Sequence, residues 1–198
     1  MSDGCPPGRN DYGNYNTSII RPKIHIADIR VRGEGEPPAR LRQIRRGLLT
    51  LHTLELMAVN IYRFQITSEN SNLNFNLIAA MCNEMTHLQD FLVKLYEYGF
   101  RPGKFRGLYW MVGMVLGLYS RLRGPQGILK MGIWVETKAV EHYQELLSRV
   151  EWDEDTRRII EKNQADEYSH VTRWRTMLQS KEMIDISAKN ISLPKQDG

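Results

Sequence analysis

Four times between Ala39 and Leu178 the chain sets a carboxylate into the apolar stripe of a helix-forming segment, on the face that folding would bury. Over about 39–68 the stripe reads Leu48, Leu51, Glu55, Ala58, Val59, Tyr62 at 3.6-residue spacing. Over about 71–98 it reads Leu77, Ala80, Met81, Glu84, His87, Leu88, Phe91, Leu95, and over about 126–149 Leu129, Ile133, Glu136, Ala139, Val140, Tyr143, Leu147. The last, over about 154–181, follows the helix-starting acids Asp153, Glu154 and Asp155 and carries Ile160, Glu167, His170, Val171, Trp174 and Leu178. After Ala39 only Pro102 and Pro125 interrupt the chain before Pro194, so the segments between are long helices and the fold class is all-α.

Singly, each polar residue has a bland explanation: most helix glutamates are solvated, and a stray Glu-x-x-His arises often by chance. Their order is what carries information. Glu55, then Glu84 with His87, then Glu136, then Glu167 with His170 is the ligand order of ferritin-like di-metal bundles, in which two helices give one Glu each and two give Glu-x-x-His. Spacing supports it independently: 29 residues separate Glu55 from Glu84 and 31 separate Glu136 from Glu167. At about 1.5 Å per residue, about 14 residues on each side of a turn span about 21 Å, so each pair meets at one height. The 52 residues from Glu84 to Glu136 leave room for one long crossover. Four buried carboxylates would repel one another and lose hydration, whereas two divalent ions cancel their charge and leave both imidazoles neutral. Oxygen ligands with two nitrogens and no thiolate favour iron, with manganese as the alternative.

Three other residues on these faces have weaker readings. His52 lies one turn before Glu55, where bonding to a ligand carboxylate and ordinary core packing are equally compatible. Tyr62 and Tyr143 each follow a lone Glu by seven residues; core packing is the default, with a functional role open.

Outside the bundle the sequence is less informative. Residues 1–37, rich in Gly, Pro and Asn with one β-like run at "KIHIADIRV", read as a flexible tail without a signal or transit pattern. The helical domain is expected over 38–182 and a C-terminal tail over 183–198. Cys5 and Cys82 occupy settings too different for a disulfide framework. A net charge of +4 spread along 198 residues forms no basic face, so no nucleic-acid partner is expected.

From about Arg42 to Met177 the chain resembles the demethoxyubiquinone hydroxylases of ubiquinone biosynthesis. That family's first helix has Asp-His-Ala-Gly-Glu and then Ile-Tyr-x-x-Gln, matched by His52, Glu55, Ile61, Tyr62 and Gln65. Its Glu-x-x-His-Leu-x-x-Phe is met by Glu84, His87, Leu88 and Phe91, its Arg-Pro loop by Arg101-Pro102, and its Val-Glu with a following His-Tyr by Val135-Glu136 and His142-Tyr143. Leu51 stands where the family has Asp, Thr53-Leu54 where it has Ala-Gly, and "DEYSHVTRW" where the family's fourth helix is more acidic and richer in histidine. The resemblance implies a di-iron monooxygenase that inserts one oxygen of O2 into the ring of a polyprenylated benzoquinone, with NADH as electron donor and His142 and Tyr143 helping to relay electrons. A second copy of the chain and a partner protein of quinone biosynthesis stand open as further partners. A peroxidase, an iron oxidase or a non-catalytic prenyl-lipid-binding bundle would share the ligands.

The crossover "RPGKFRGLYWMVGMVLGLYSRLRG" has basic ends, the aromatic residues Tyr109, Trp110 and Tyr119, and an apolar centre too short to span a bilayer. It suits an amphipathic helix over 105–122 lying in a membrane surface, with packing in a core or an oligomer as the competing reading. Location follows as peripheral to the cytoplasmic face of a bacterial inner membrane, or to the matrix face in a mitochondrion.

Overall fold

A computed structural model describes residues 26–69 and 71–191, with side chains described as far as residue 181. The helices are α1 (Pro38–Gln65), α2 (Asn72–Glu97), α3 (Arg106–Leu122), α4 (Gly124–Arg149) and α5 (Glu154–Ile191), and the described residues contain no strand. All four long segments and the crossover helix lie where periodicity places them.

Local chemistry sets the ends. Proline begins α1 and lies in the first turn of α4, where its missing N–H has no helical acceptor to lose. The Ser71 side chain accepts from the Asn74 N–H at 3.2 Å to cap α2, and the Asp153 carboxylate accepts from Thr156 N–H at 3.1 Å to open α5. Gly99, at φ 72°, lets the chain leave α2 with Phe100 N–H returned to the Leu95 carbonyl at 2.8 Å.

The pairs α1–α2 and α4–α5 form hairpins, and together they make the four-helix bundle. Two large apolar plugs fill it, beside a third small cluster of Ala58, Ile61 and Val135. One gathers Leu48, Leu51, Phe91, Leu95, Leu147 and Ile160; the other gathers Tyr62, Leu77, Ala80, Leu129 and Trp174. Along every long helix the stripe glutamate falls between residues of the two plugs, so the carboxylates form one layer in mid-bundle.

The crossover helix α3 packs mainly across α1, with lesser contact to α4. Its only buried residues are Gly113, Gly117 and Ser120. A Cβ on Gly113 would stand 2.7 Å from the Met57 carbonyl oxygen, and one on Gly117 2.6 Å from that of Ile61, so the two backbones lie too close for any side chain. Gln65 Nε2 donates to Ser120 Oγ at 2.8 Å and extends the seam. The small residues face inward, Leu116 packs partly against Ala58, Ile61 and Val135, and most of the large apolar residues face outward: Leu108, Met111, Val115, Leu118, Tyr119 and Leu122 are all exposed. Trp110 is half-buried, edge-on to Phe64.

Three details differ from the sequence reading. The β-like run forms a single 3-10 turn at Ile26–Asp28 followed by irregular chain, and no strand among the described residues is there to accept its hydrogen bonds; its first residues, like 1–25 as a whole, lie outside the described residues. Residues 30–32, assigned to the flexible tail, are tied to the bundle. The Arg32 guanidinium donates to Glu97 at 2.8 Å, Asp153 at 2.5 Å and Asp155 at 3.0 Å, and Arg32 N–H donates to the Glu97 carbonyl at 2.7 Å. Finally, α5 continues past residue 182 to Ile191.

Candidate metal centre

Each ligand candidate reaches the centre because its helix register leaves it no other direction. Glu55, Glu84, His87, Glu136, Glu167 and His170 are each at most 1% exposed. Their atoms form two overlapping groups, Glu55, Glu84, His87, Glu167 and Glu84, Glu136, Glu167, His170, with the atoms of each group within 4.8 Å of one another. Glu84 and Glu167 belong to both. The arrangement therefore has two positions, each with its own glutamate and histidine, sharing two glutamates between them.

The contacts between the halves are reciprocal. His87 Nδ1 lies 3.0 Å from Glu167 Oε1, and His170 Nδ1 lies 2.9 Å from Glu84 Oε1. The Tyr62 hydroxyl on α1 donates to Glu136 on α4, and the Tyr143 hydroxyl on α4 donates to Glu55 on α1. Seven residues is close to two helical turns, so each tyrosine sits on the face of its own helix's glutamate and reaches across to the other's. Trp174 Nε1 donates to the Tyr62 hydroxyl at 3.0 Å and fixes it. Burial, and then the neighbouring carboxylate charge, push both phenols well above their usual range, so both remain donors.

The electrostatics of the bare cluster are unfavourable. Burial raises Glu55 to about 8 and, with the charges of Glu84 and Glu136, lifts Glu167 well above the carboxylate range. For Glu84 burial acts upward too, but the hydrogen bonds and charges of His170 and His87 outweigh it and hold this carboxyl low. Burial would lower both imidazoles; the surrounding acids overcome it, with His170 reaching about 9 and His87 rising well above its ordinary value. The protein thus holds this charge only with positive partners inside the layer.

Divalent cations fit that requirement. Both carboxylate oxygens of Glu84 and of Glu167, one of Glu136, and Nδ1 of His87 are fully buried; the imidazole and carboxylate atoms lie close to one another but without regular hydrogen-bond geometry, and they converge on the same small volume. On the outer side of its ring, His87 Nε2 lies 3.2 Å from Asp166 Oδ2, which orients Nδ1 inward. With two divalent ions, four carboxylates and two neutral imidazoles sum to zero.

A cavity of about 210 Å³ leads to this layer between α1 and α4. Glu55, Glu84 and Glu136 line it together with the apolar residues Leu54, Met57, Ala58, Trp134, Val135 and Ala139, and with Lys138 and His142. His142 is therefore on the cavity wall, whereas Tyr143, the next residue, points into the carboxylate layer.

Three further residues gain a definite place from the structure. Tyr62, for which core packing is the default and a functional role open, bonds a carboxylate; its seven-residue offset from Glu55, matched by Tyr143 from Glu136, is the signal. Asp166 is announced only by its place beside Glu167. His52 is buried but makes no bond to Glu55; its Nδ1 lacks a hydrogen-bond partner, and burial, then the charge of Arg106, lowers it to about 4.

A four-helix bundle with a carboxylate-histidine layer and one long crossover places the chain in the ferritin-like class. Residues 42–187 match the family model described as "Ubiquinone biosynthesis protein COQ7", and the chain belongs to that family. It is also 27% identical over 164 residues, 80% of this chain and 72% of the other, to the "NADPH-dependent 3-demethoxyubiquinone 3-hydroxylase, mitochondrial" of Dictyostelium discoideum.

Proposed function

We propose that the chain is a di-metal monooxygenase of ubiquinone biosynthesis. It inserts one atom of O2 into a ring C–H of a polyprenylated benzoquinone, the other oxygen leaving as water, with two electrons and one proton supplied by a reduced nicotinamide and a second proton by the medium. The observation that carries this reading is the meeting of an apolar cavity with six buried carboxylate and imidazole groups. The relative's name specifies NADPH, so the expected NADH widens to either nicotinamide.

Glu55, Glu84, His87, Glu136, Glu167 and His170 would hold two iron ions, whose chemistry when bound is the activation of O2. The remaining steps belong to the chain. The wall formed by Leu54, Met57, Ala58 and Ala139 excludes water and takes the ring. Tyr62 and Tyr143 hold the two unshared glutamates in place through their hydroxyl protons. Asp166 holds the His87 ring by accepting from Nε2, which keeps the proton off Nδ1. His142, on the cavity wall, is placed to meet the substrate or the electron donor; Tyr143 is the carboxylate-holding residue of that pair.

A prenylated ring partitions into lipid, and the outward face of α3 supports delivery from a membrane surface. No helix among the described residues is long and apolar enough to cross a membrane. The exposed Leu108, Met111, Val115, Leu118 and Leu122 present the apolar side of an interfacial helix, with Arg106 and Arg121 at its ends. Association with the surface of a quinone-synthesising membrane, on its matrix or cytoplasmic face, follows.

The test is product analysis with a short-chain demethoxyquinone, NADH or NADPH, and 18O2. Wild type is expected to place one 18O in the ring and Glu84→Ala none; absence of enzyme-dependent ring 18O with either nicotinamide defeats the reading.

A further inference from the structure

The cavity between α1 and α4 has a chemical asymmetry that the metal centre does not explain. Its inner end is acidic, formed by Glu55, Glu84 and Glu136, and most of the remaining wall is apolar. Away from those acids, the wall side chains that carry an N–H donor come from one face of α4: Trp134, Lys138 and His142, spaced four residues apart and so stacked one turn above another. Trp134 is 52% exposed, and the Lys138 side chain is 50% exposed.

A quinone ring brings only hydrogen-bond acceptors. The carboxylates at the inner end are acceptors as well, so a ring oxygen turned toward them meets like partial charge. The ring oxygens must find donors elsewhere, or remain unpaired in an apolar cavity. Donors on the wall are the Lys138 ammonium, the His142 imidazole and the Trp134 indole N–H. Of these, the ammonium alone carries three N–H groups, on a stem long enough to swing between solvent and cavity. Its present partner does not prevent this. Lys138 Nζ donates to Glu141 Oε2 at 2.5 Å, and that carboxylate is 56% exposed, so the pair is a solvated surface contact that competes weakly.

We propose that Lys138 is a substrate-binding residue whose ammonium donates to a ring oxygen of the quinone, and so sets which ring carbon is turned toward Glu55, Glu84 and Glu136. The inference rests on the function proposed above and adds the group that orients the ring. With one ring oxygen held at Lys138, two residues or about 3 Å along α4 from Glu136, a C–H edge of the ring rather than a carbonyl is turned toward the carboxylate layer. Trp134 supplies an apolar wall beside the ammonium for the ring or the start of its tail.

The test separates binding from turnover. Iron-loaded protein is kept anaerobic, and affinity is measured by quenching of tryptophan fluorescence for two ligands: a short-chain methoxybenzoquinone and an alkylbenzene of the same tail that lacks the ring oxygens. Wild type is expected to prefer the quinone by about tenfold or more, the scale of a charge-assisted hydrogen bond in apolar surroundings. Lys138→Met should lose most of that preference while binding the alkylbenzene within twofold of wild type, and Lys138→Arg should retain it. Glu141→Gln should leave the preference intact, which distinguishes loss of the ammonium from loss of the surface pair. Full preference in Lys138→Met, with wild type binding the quinone, overturns the role of Lys138 alone. Wild type that binds no quinone overturns the functional reading and this inference with it.

Discussion

The interior of the bundle and the outer face of α3 invert the usual distribution of side chains, in opposite directions. Inside, Glu84, His87, Glu136 and Glu167 are wholly buried; outside, Val115 and Leu122 are 58% and 87% exposed. Each inversion costs free energy in an isolated protein in water, by stranded charge in one case and by apolar surface left in solvent in the other. The difference lies in what relieves the cost. The interior needs a small number of cations at fixed positions, and its geometry is correspondingly tight, with reciprocal tyrosine-carboxylate bonds. On the membrane association proposed above, the exterior would need only a broad apolar phase, and the inner face of α3 is a seam of Gly113, Gly117 and Ser120 that lets it lie flat on α1.

The interior breaks most easily at the glutamates shared by both positions. Glu84→Ala removes a ligand from each half and is expected to reduce quinone oxygenation at least a hundredfold, with bound iron falling below one per chain by elemental analysis. Tyr62→Phe and Tyr143→Phe leave the ligands but free the carboxylates they hold; each should weaken metal binding about tenfold to a hundredfold in competition with a chelator, and a double substitution more than either. A metal affinity unchanged by both would mean that the tyrosines only fill space.

The exterior should respond to charge. Val115→Glu with Leu122→Glu is expected to lower binding to anionic lipid vesicles about tenfold or more in flotation, while metal content and thermal stability stay as in wild type. Trp110 is the poorer choice for this test because it packs on Phe64, so its replacement disturbs the seam with α1.

The smallest expected effect concerns Arg32, which ties the segment before α1 to the α2 and α5 ends. At Glu97 and Asp153 burial acts to raise the carboxyl, but Lys94 and Arg32 in the first case, and Thr156, Tyr98 and Arg32 in the second, outweigh it and hold both below their usual range. A carboxyl lowered by folding stabilises above its unfolded value and loses that contribution as pH falls through the folded one. Arg32→Ala should therefore cost about 1–3 kcal/mol in urea unfolding at pH 7, with the gap to wild type narrowing below about pH 4.

Much of the bundle was legible because two periodicities coincide in it: 3.6-residue stripes gave the helices, and polar residues embedded in those stripes marked the layer. Glu55, Glu84, His87, Glu136, Glu167 and His170 could be read together because matched hairpin lengths put them at one height. Tyr62 was not legible, since a tyrosine on an apolar stripe looks the same whether its hydroxyl meets a carboxylate on another helix or nothing. Which face of α3 is buried was also hidden. Large apolar residues usually face a core, and only the backbone contact at Gly113 and Gly117 shows that here they face away. Residues 30–32 looked like tail because the partners of Arg32 lie 65 and more positions along the chain.

The central claim is that the buried layer is a di-metal site, and the stoichiometry of bound metal tests it most directly. Chain purified without metal and loaded anaerobically with Fe(II) is expected to retain two ions after desalting and to release protons on loading at pH 7, because the metal-free carboxyls and imidazoles hold them. Folded protein that retains fewer than one ion and releases no protons would contradict the account.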